Sequence, residues 1–319
     1  MISSEPIVIL SPCYNEELNI VNFLHSLENV CNALDSLFEV VIVNDGSIDK
    51  TSELLDGFFF ESKNISLTVL ELDFNVGHQQ AIFQGLIYAK STNSNQFIVL
   101  DSDGQDDVKL IPSMIEQKDC DVVHIVRKKR KESFLFRFSY KIYKMIFKTI
   151  TGQSIHFGNY CLINRNILNR ITMVGFVHFP AFLSKFALRK KYIEADRQKR
   201  DNGKSKMGIT DLLDHAIKSF VQYAEQLLVV CLWIFISLVI ILTIFAGYVL
   251  YKKLFTDRAI LGWASTIILG LFNGALIALS AFVIGTQLLK NSYSNTIKFT
   301  ASTVKKNGKS INRRSEEHS

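Results

Sequence analysis

Two uninterrupted apolar stretches, Leu227–Tyr251 and Ala259–Leu289, constrain this 319-residue chain more than any other feature. Each exceeds the ~20 residues that a helix needs to cross the hydrocarbon core of a bilayer. Neither carries a charge between its ends, so a transmembrane hairpin is expected rather than two buried core helices. The connector Lys252–Arg258 is very short. The tail that follows holds Lys290, Lys298, Lys305, Lys306, Lys309, Arg313 and Arg314, and the positive-inside rule places it in the cytoplasm. An even number of crossings then puts the N-terminal domain in the cytoplasm too. From about residue 300 onward the composition predicts disorder.

Composition agrees with that division. A hydrophobic content of 48% and a mean hydropathy of +0.18 are high for a purely soluble protein, and the excess lies after residue 226. The length accommodates one substantial domain plus something smaller. The opening MISSEPIVILSPCYNEE lacks the basic and apolar regions of a signal peptide and reads as a strand running into a loop. Five scattered cysteines without CxxC spacing argue against a disulfide framework or a zinc site, and fit a reducing cytosol. The net charge of +6 is concentrated at 127–148, 185–206 and 290–314, each beside apolar sequence. Anionic lipid head groups or phosphate substrates suit these clusters better than nucleic acid does.

Residues 6–125 alternate strand-like runs (PIVILSP, FEVVIVND, ISLTVLELD, NQFIVLDSD) with helix-like stretches such as Glu17–Leu34 and Gln79–Lys90. Continuous apolar strands alternating with helices predict a parallel sheet covered on both faces. Ligands bind such sheets at the carboxyl ends of the strands. The polar motifs Pro12–Glu17, Asn44–Thr51, Asn75–Ala81 and Asp101–Asp107 all fall there. Residues 133–150 differ in kind. Arg137, Lys141, Lys144 and Lys148 make a basic helical stripe beside a mostly apolar one of Phe134, Phe138, Ile142, Met145 and Thr149. That pattern suits an interfacial helix, with a core helix bearing a solvated face as the alternative. The layout is therefore a domain over 1–208, an amphipathic juxtamembrane helix over 209–226, spans over 227–251 and 259–289, and a basic tail over 290–319.

Three strand-end loops carry the chemistry. Asp101-Ser-Asp103-Gly-Gln105-Asp106-Asp107 closes the run NQFIVL. Two carboxylates one residue apart can share a hard divalent cation, which can bridge the phosphates of a nucleotide diphosphate and offset leaving-group charge. Gln105 offers a third oxygen. The same residues equally suit a polar turn with an acidic rim. In Asn44-Asp45-Gly46-Ser47-Ile48-Asp49, Gly46 and Ser47 suit a turn and Asp49 a helix cap, while Asp45 suits accepting an N–H from a base. In Pro12-Cys-Tyr14-Asn15-Glu16-Glu17, Tyr14 suits packing on a base and Glu16 accepting from base or ribose. Each loop is ambiguous alone; three acidic loops on one small sheet are much less so.

PCYNEE, VIVNDGSIDKT, NVGHQQA and VLDSDGQDD, in this order and spacing, resemble the family-2 inverting glycosyltransferases, whose nucleotide-sugar-binding domain has the GT-A fold. The full layout is more similar to the polyprenyl-phosphate glycosyltransferases, of the bactoprenol glucosyltransferase and dolichyl-phosphate mannosyltransferase type. In those proteins a C-terminal hairpin follows a segment like Arg200-Asp-Asn-Gly203-Lys-Ser205-Lys206, and the second helix opens like Gly262-Trp263-Ala264-Ser265. The similarity covers most of residues 5–290. It implies an α/β GT-A domain with a mainly parallel sheet, interfacial amphipathic helices and a two-helix transmembrane hairpin.

By position, the resemblance implies that Pro12, Tyr14, Glu16, Asp45, Asp101 and Asp103 hold the nucleotide-sugar. It further implies that Asp101, Asp103 and Gln105 hold Mg²⁺ or Mn²⁺, and that Arg127 and Arg130 join the two aspartates in catalysis. Arg127, Arg130 and Arg137 would face phosphates of donor or lipid acceptor, with Arg200, Ser205 and Lys206 closing over them. A solvated face or a lipid head-group contact is the alternative for any single arginine. Three places depart from the family. Asp107-Val108 stands where a proline commonly follows the acidic motif. In Phe157-Gly-Asn159-Tyr160-Cys161-Leu162, Asn159 takes the place of a proposed catalytic base at the acceptor, and Cys161 that of an arginine. Thr286-Gln-Leu-Leu-Lys290 replaces a glycine- and arginine-bearing ending.

The implied reaction is inverting transfer of a hexose from a nucleotide-sugar, UDP favoured over GDP, to polyprenyl (undecaprenyl) phosphate at the cytoplasmic membrane face. A lipid phosphate oxygen is already anionic at neutral pH and needs no strong base. A sugar hydroxyl would gain ~10²–10⁴-fold from a general base. Asn159 cannot serve as one, although Asp106 could. A hydroxyl of a lipid-linked or polymer glycan thus remains a rival acceptor. A catalytically silent membrane adaptor is a rival of another class, against which the intact Asp101, Asp103 and Gln105 argue. Processive synthesis is disfavoured because QxxRW is absent, Trp233 and Trp263 both lying in the apolar stretches. Nucleic acid is not an expected partner, and the oligomeric state, a homo-oligomer included, is left open.

Overall fold

The computed structural model describes residues 5–127, 144–153, 158–195, 216–256, 262–294, 301–307 and 309–311. Arg130, Arg137, Arg200, Ser205 and Lys206 lie outside the described residues, as do 133–143 and 209–215 of the two expected amphipathic helices. The chain divides into two units. One comprises Met1–Tyr140, Ser154–Gln222 and Ile297–Ser319; the other comprises Lys141–Gln153 and Tyr223–Thr296.

The first unit is built on strands β1 (Ile7–Cys13), β2 (Phe38–Asn44), β3 (Ile65–Leu72) and β4 (Gln96–Val99). Every residue of β1 and β2 is buried. A strand apolar on both sides needs cover on both faces. Val8 and Leu10 accordingly enter one core while Ile7 and Ile9 enter the other, following the period of two. Helix α1 (Ile20–Asn32) covers one face with Ile20, Phe23, Leu24, Leu27 and Cys31, an apolar stripe at helical spacing. Between β2 and β3 comes the short α2 (Thr51–Asp56), and between β3 and β4 the helix α3 (His78–Lys90), which covers the other face. At Gly85 an added Cβ would lie 2.1 Å from Leu10 Cδ1 and 2.8 Å from Val43 Cγ2, so glycine lets α3 settle onto β1 and β2.

After α4 (Ile111–Ile115) come β5 (Val122–Arg127), β6 (Cys161–Asn164), α5 (Arg165–Val174), α6 (Phe179–Phe186) and β7 (Lys190–Ala195). The expected parallel arrangement holds for the central strands: β1 pairs in parallel with β2 and β4, and β2 with β3. Toward β7 the sheet turns mixed, since β6 runs antiparallel to both β4 and β5.

The second unit contains α7 (Ala224–Phe255) and α8 (Trp263–Ser294), both long and apolar enough to cross a membrane. At Gly285 the two helices lie close, an added Cβ falling 2.2 Å from Leu228 Cδ2. Small residues permit such contacts between helices in lipid. Residues 144–151 are helical; Phe147 is buried with its ring 5.2 Å from that of Tyr223, while Met145 and Ile146 are exposed.

Residues 301–311, where the composition predicts disorder, instead complete the sheet. Strand β8 (Ala301–Lys306) pairs antiparallel with β3, and β9 (Lys309–Ile311) with β8. Asn307 N donates to Leu67 O (2.8 Å) and accepts at Oδ1 from Leu67 N (3.0 Å). Lys305 Nζ lies 2.6 Å from Asp56, and Lys306 Nζ lies 3.7 Å from the buried Glu39, which also accepts from Thr68 and Tyr88 hydroxyls. A charged segment without its own core pattern reads as solvated. The open edge of β3, more than 200 residues earlier in sequence, supplies hydrogen bonds that order it. Val304, 4% exposed, is the apolar anchor. Val304→Asp is expected to cost about 2 kcal/mol, from lost burial and a desolvated carboxylate, read as a lowered midpoint in thermal unfolding of the detergent-solubilised protein. An unchanged midpoint would show that the tail does not dock.

Candidate functional site

Parallel strands all end on one side, and the loops beyond β1, β2, β3 and β4 meet there around a cavity of about 270 Å³. Its lining includes Pro12, Tyr14, Glu16, Asp45, Asp101 and Asp103, so the structure brings together all six residues expected at the nucleotide-sugar.

Side chains stitch the first two loops to each other. Asn15, in the left-handed region at φ 54°, donates its N–H to Ser47 Oγ (2.9 Å) and accepts from Ile48 N (2.9 Å). Glu16 N donates to Thr51 Oγ1 (2.9 Å) and Glu17 N to Asp49 Oδ2 (3.2 Å). Asp49 also accepts from Thr51 N, so its work is local, holding the loop ahead of α2. The Glu16 carboxylate accepts from Asn19 Nδ2 (2.7 Å), and Tyr14, 39% exposed, stands at the rim.

Asp45 joins the second loop to the third. Its two carboxylate oxygens accept from Val76 N (2.7 Å) and Gly77 N (3.0 Å). Burial raises its pKa above the ordinary carboxylate range, against the opposite pull of those two N–H groups and His78. Gly46 follows at φ +64°, and an added Cβ would meet backbone atoms of Phe74 and Asn75 at 2.6–2.8 Å. Only glycine allows the two loops to touch there.

The acidic loop after β4 is held from within. Asp101 N donates to Asp106 Oδ2 (3.0 Å), Gln105 N to Asp103 Oδ1 (3.0 Å), and Ser102 Oγ to Pro12 O (2.9 Å). Asp106 is 6% exposed and clamps the loop backbone through the hydrogen bond that it accepts from Asp101 N. Gln105 Oε1 is buried without a hydrogen-bond partner. Among the described residues no three His, Cys, Asp or Glu side chains group as a metal site. Asp101, Asp103 and the amide oxygen of Gln105 nevertheless form an all-oxygen set suited to a hard divalent cation. The cavity's carboxylates would repel a diphosphate unless a cation lay between them, and an orphaned oxygen at Gln105 is what such an ion would satisfy.

Sequence reasoning left Asn75–Ala81 as a strand-end motif with no role, and this is where it missed functional residues. His78, at the start of α3, places Nε2 3.2 Å from Asp101 Oδ1 and 2.8 Å from Asn159 Nδ2. Burial lowers the His78 pKa, but Asp101, with Asp103 and Asp45 behind it, outweighs that effect and leaves it raised. Gln79 continues the chain, donating to Asn159 Oδ1 (3.4 Å) and accepting from Phe179 N (2.6 Å). Asn159 is thus held beside the cavity by one amide, that of Gln79, and one imidazole, that of His78. Cys161 is fully buried on β6 and away from solvent. Arg127 closes β5.

A family model described as glycosyl transferase family 2 matches residues 8–182. The chain is 31% identical over 293 residues to YkcC, an uncharacterized glycosyltransferase of Bacillus subtilis, covering 88% of this chain and 87% of that one. It is 27% identical over 291 residues to an undecaprenyl-phosphate 4-deoxy-4-formamido-L-arabinose transferase of Edwardsiella ictaluri, covering 88% and 86%. Among solved structures it resembles glucosyl-3-phosphoglycerate synthase from Mycobacterium tuberculosis, with 14% identity, a TM-score of 0.49, and coverage of 70% of this chain and 80% of that one.

Asp45→Ala strands two half-buried N–H groups. Hydrogen exchange at the Val76 and Gly77 amides is expected to quicken at least about tenfold, corresponding to 1.4 kcal/mol or more of lost protection. Exchange unchanged at both amides would show that another contact holds the third loop.

Proposed function

The chain belongs to glycosyl transferase family 2 and is a glycosyltransferase with the GT-A fold, and on that premise we propose that it transfers a sugar, with inversion, from a nucleotide-sugar to polyprenyl phosphate at the cytoplasmic face of a membrane. The observation that carries the acceptor assignment is the extent of the likeness. Similarity to a transferase named for undecaprenyl phosphate spans 88% of this chain and so includes apolar helices as well as the site.

In this reading Pro12, Tyr14, Glu16 and Asp45 hold the nucleotide. Tyr14 packs on the base at the rim, and Glu16 faces base or ribose. The Asp45 oxygens already hold Val76 and Gly77, so this residue contributes by shaping the cavity and offers a base only its remaining lone pairs. Asp101, Asp103 and Gln105 are the residues that would hold Mg²⁺ or Mn²⁺. Such an ion, when bound, supplies positive charge to offset that of the nucleotide diphosphate as it departs.

Asn159 orients rather than abstracts. An amide has no basicity to offer at neutral pH, but a hydrogen bond from Gln79 and a 2.8 Å contact with the His78 ring fix its direction. An acceptor that arrives as a phosphate anion needs only to be aimed. A hydroxyl acceptor would forgo ~10²–10⁴-fold of general-base assistance. With Asp106 engaged on the Asp101 backbone, the lipid phosphate is the acceptor the site favours. Arg127, Arg130, Arg137, Arg200, Ser205 and Lys206 are proposed to meet donor or acceptor phosphates.

The topology has independent support. The chain leaves the first unit at Gln222 and returns to pair β8 with β3, so both ends of the α7–α8 pair stand on one side of any bilayer it crosses. The basic tail then argues for the cytoplasmic side.

The direct test uses purified protein, Mg²⁺ or Mn²⁺ and radiolabelled nucleotide-sugars, with and without undecaprenyl phosphate. Label is expected in the lipid phase only when lipid and metal are both present. Nucleotide release with no labelled lipid would overturn the acceptor while keeping the donor site. Asp103→Asn is expected to lower kcat/KM by at least ~10²-fold with an unchanged melting temperature; full activity would remove Asp103 from the metal set.

A further inference from the structure

We infer that the turn between α5 and α6, residues 173–177, is a preformed wedge that seats in the lipid head-group region of the bilayer. The two helices meet at 115°. Gly175, at φ +74°, ends α5 and reverses the chain, and its N–H donates to Ile171 O (2.7 Å). Beneath the turn, Phe176 is buried with its ring 5.4 Å from Phe83 and 5.2 Å from Phe179. Above it, Met173, Val174 and Val177 are 77%, 42% and 39% exposed. A rigid turn with one ring driven into the core and three apolar side chains held outward leaves those side chains without cover. Together α5 and α6 are apolar enough to be read as a broken membrane span, but Phe179, Phe182 and Leu183 are fully buried in the core. Only the turn is available to lipid.

The occupant is identified by where the chain goes next. Val177 N and His178 N both donate to Gln222 Oε1, at 2.8 and 3.3 Å. Gln222 lies two residues before α7, and the uncharged run begins at Leu227. At ~1.5 Å per helical residue, five residues span about 8 Å, comparable to the depth of a head-group layer. The turn is therefore bonded to the segment that leads, within five residues, into the uncharged run. Ile217 and Val221, one helical turn apart on the segment leading to Gln222, are 61% and 46% exposed and extend the same apolar surface. Apolar side chains at shallow depth beside a spanning helix are the usual composition of an interfacial contact.

The wedge has a consequence for the site. Phe179 N, two residues past Val177, donates to Gln79, which holds Asn159 beside the cavity. The turn and the acceptor side of the cavity are thereby joined through Gln79. This consequence rests on the proposed acceptor; the wedge itself rests only on α7 and α8 crossing a bilayer.

The test uses the full-length chain, with Cys231→Ser to remove the one cysteine that is not buried. It is reconstituted into vesicles of phosphatidylcholine and phosphatidylglycerol carrying a shallow spin-labelled lipid. Single cysteines replace Met173, Val177, Ile240 within α7, or Phe59 in the loop before β3, and each carries an environment-sensitive fluorophore. Reporters at 173 and 177 are expected to be quenched by the labelled lipid several-fold more than one at 59, and to be shielded from aqueous iodide. Quenching at 240 but not at 173 or 177 would overturn the wedge while leaving the spans intact. Shielding from iodide without lipid quenching would assign the surface to a protein partner or a second copy, and would equally overturn it. No catalytic readout is involved, so failure of the acceptor assignment leaves this result unaffected.

Discussion

The parallel pairing of β1 with both β2 and β4 is the constraint from which the rest of the site follows. Parallel strands share a carboxyl edge, and backbone register sets which residues stand side by side along it. Cys13 lies opposite Asn44, and Asn44 opposite Glu71, so the loops that begin at those residues start level with one another. Level starts allow Asp45 to reach the amides of Val76 and Gly77, and Asn15 to reach Ser47. A slip of one residue would turn every side chain to the opposite face and separate these partners. The ladder does the positioning, and the loop hydrogen bonds lock what it has positioned.

Electrostatics then give the cavity its character. Glu16, Asp45, Asp101 and Asp103 converge on it with one imidazole, that of His78, among them. Carboxylates so gathered are tolerated because each is engaged. Asp45 holds the third loop, Glu16 holds Asn19, Asp103 accepts from its own loop, and Asp101 faces His78. Asp106, buried beneath, holds the acidic loop in shape. The site is thus prearranged to favour positive charge at Asp101 and Asp103 without a change in backbone. Family membership makes this arrangement that of a glycosyltransferase, and the amide of Asn159 stands next to it.

The apolar pair α7–α8 and the domain are parts of one topological circuit. Because β8 returns to the edge of β3, the tail is a structural strand and its lysines answer charges already placed on the domain, Asp56 at the surface and Glu39 within. The same strand covers an edge that would otherwise be open to pairing with another chain. Removal of the apolar pair together with the tail would therefore strip the sheet as well as the anchor.

Much of this was legible in the residue order. Uninterrupted apolar runs such as VVIV before Asn44-Asp45 and FIVL before Asp101-Ser-Asp103 specify buried parallel strands with polar ends, because neither face of such a run can meet water. Twenty-five or more uncharged residues specify a membrane span for the same reason, and the four quoted motifs specify the family. Local pattern could not supply what depends on contacts between distant segments. Nothing in HQQ announces that His78 and Gln79 will meet Asn159 some 80 residues later. Nothing in ASTVKK announces an edge 230 residues earlier, and nothing in the acidic run announces that Asp106 will accept from the backbone of Asp101. The sequence by itself determined which segments bury and which stay wet, since transfer free energy is a property of the side chain and its period. Only the tertiary structure decided which polar groups meet, since that is set by register and closure across long loops, where no short-range pattern carries information.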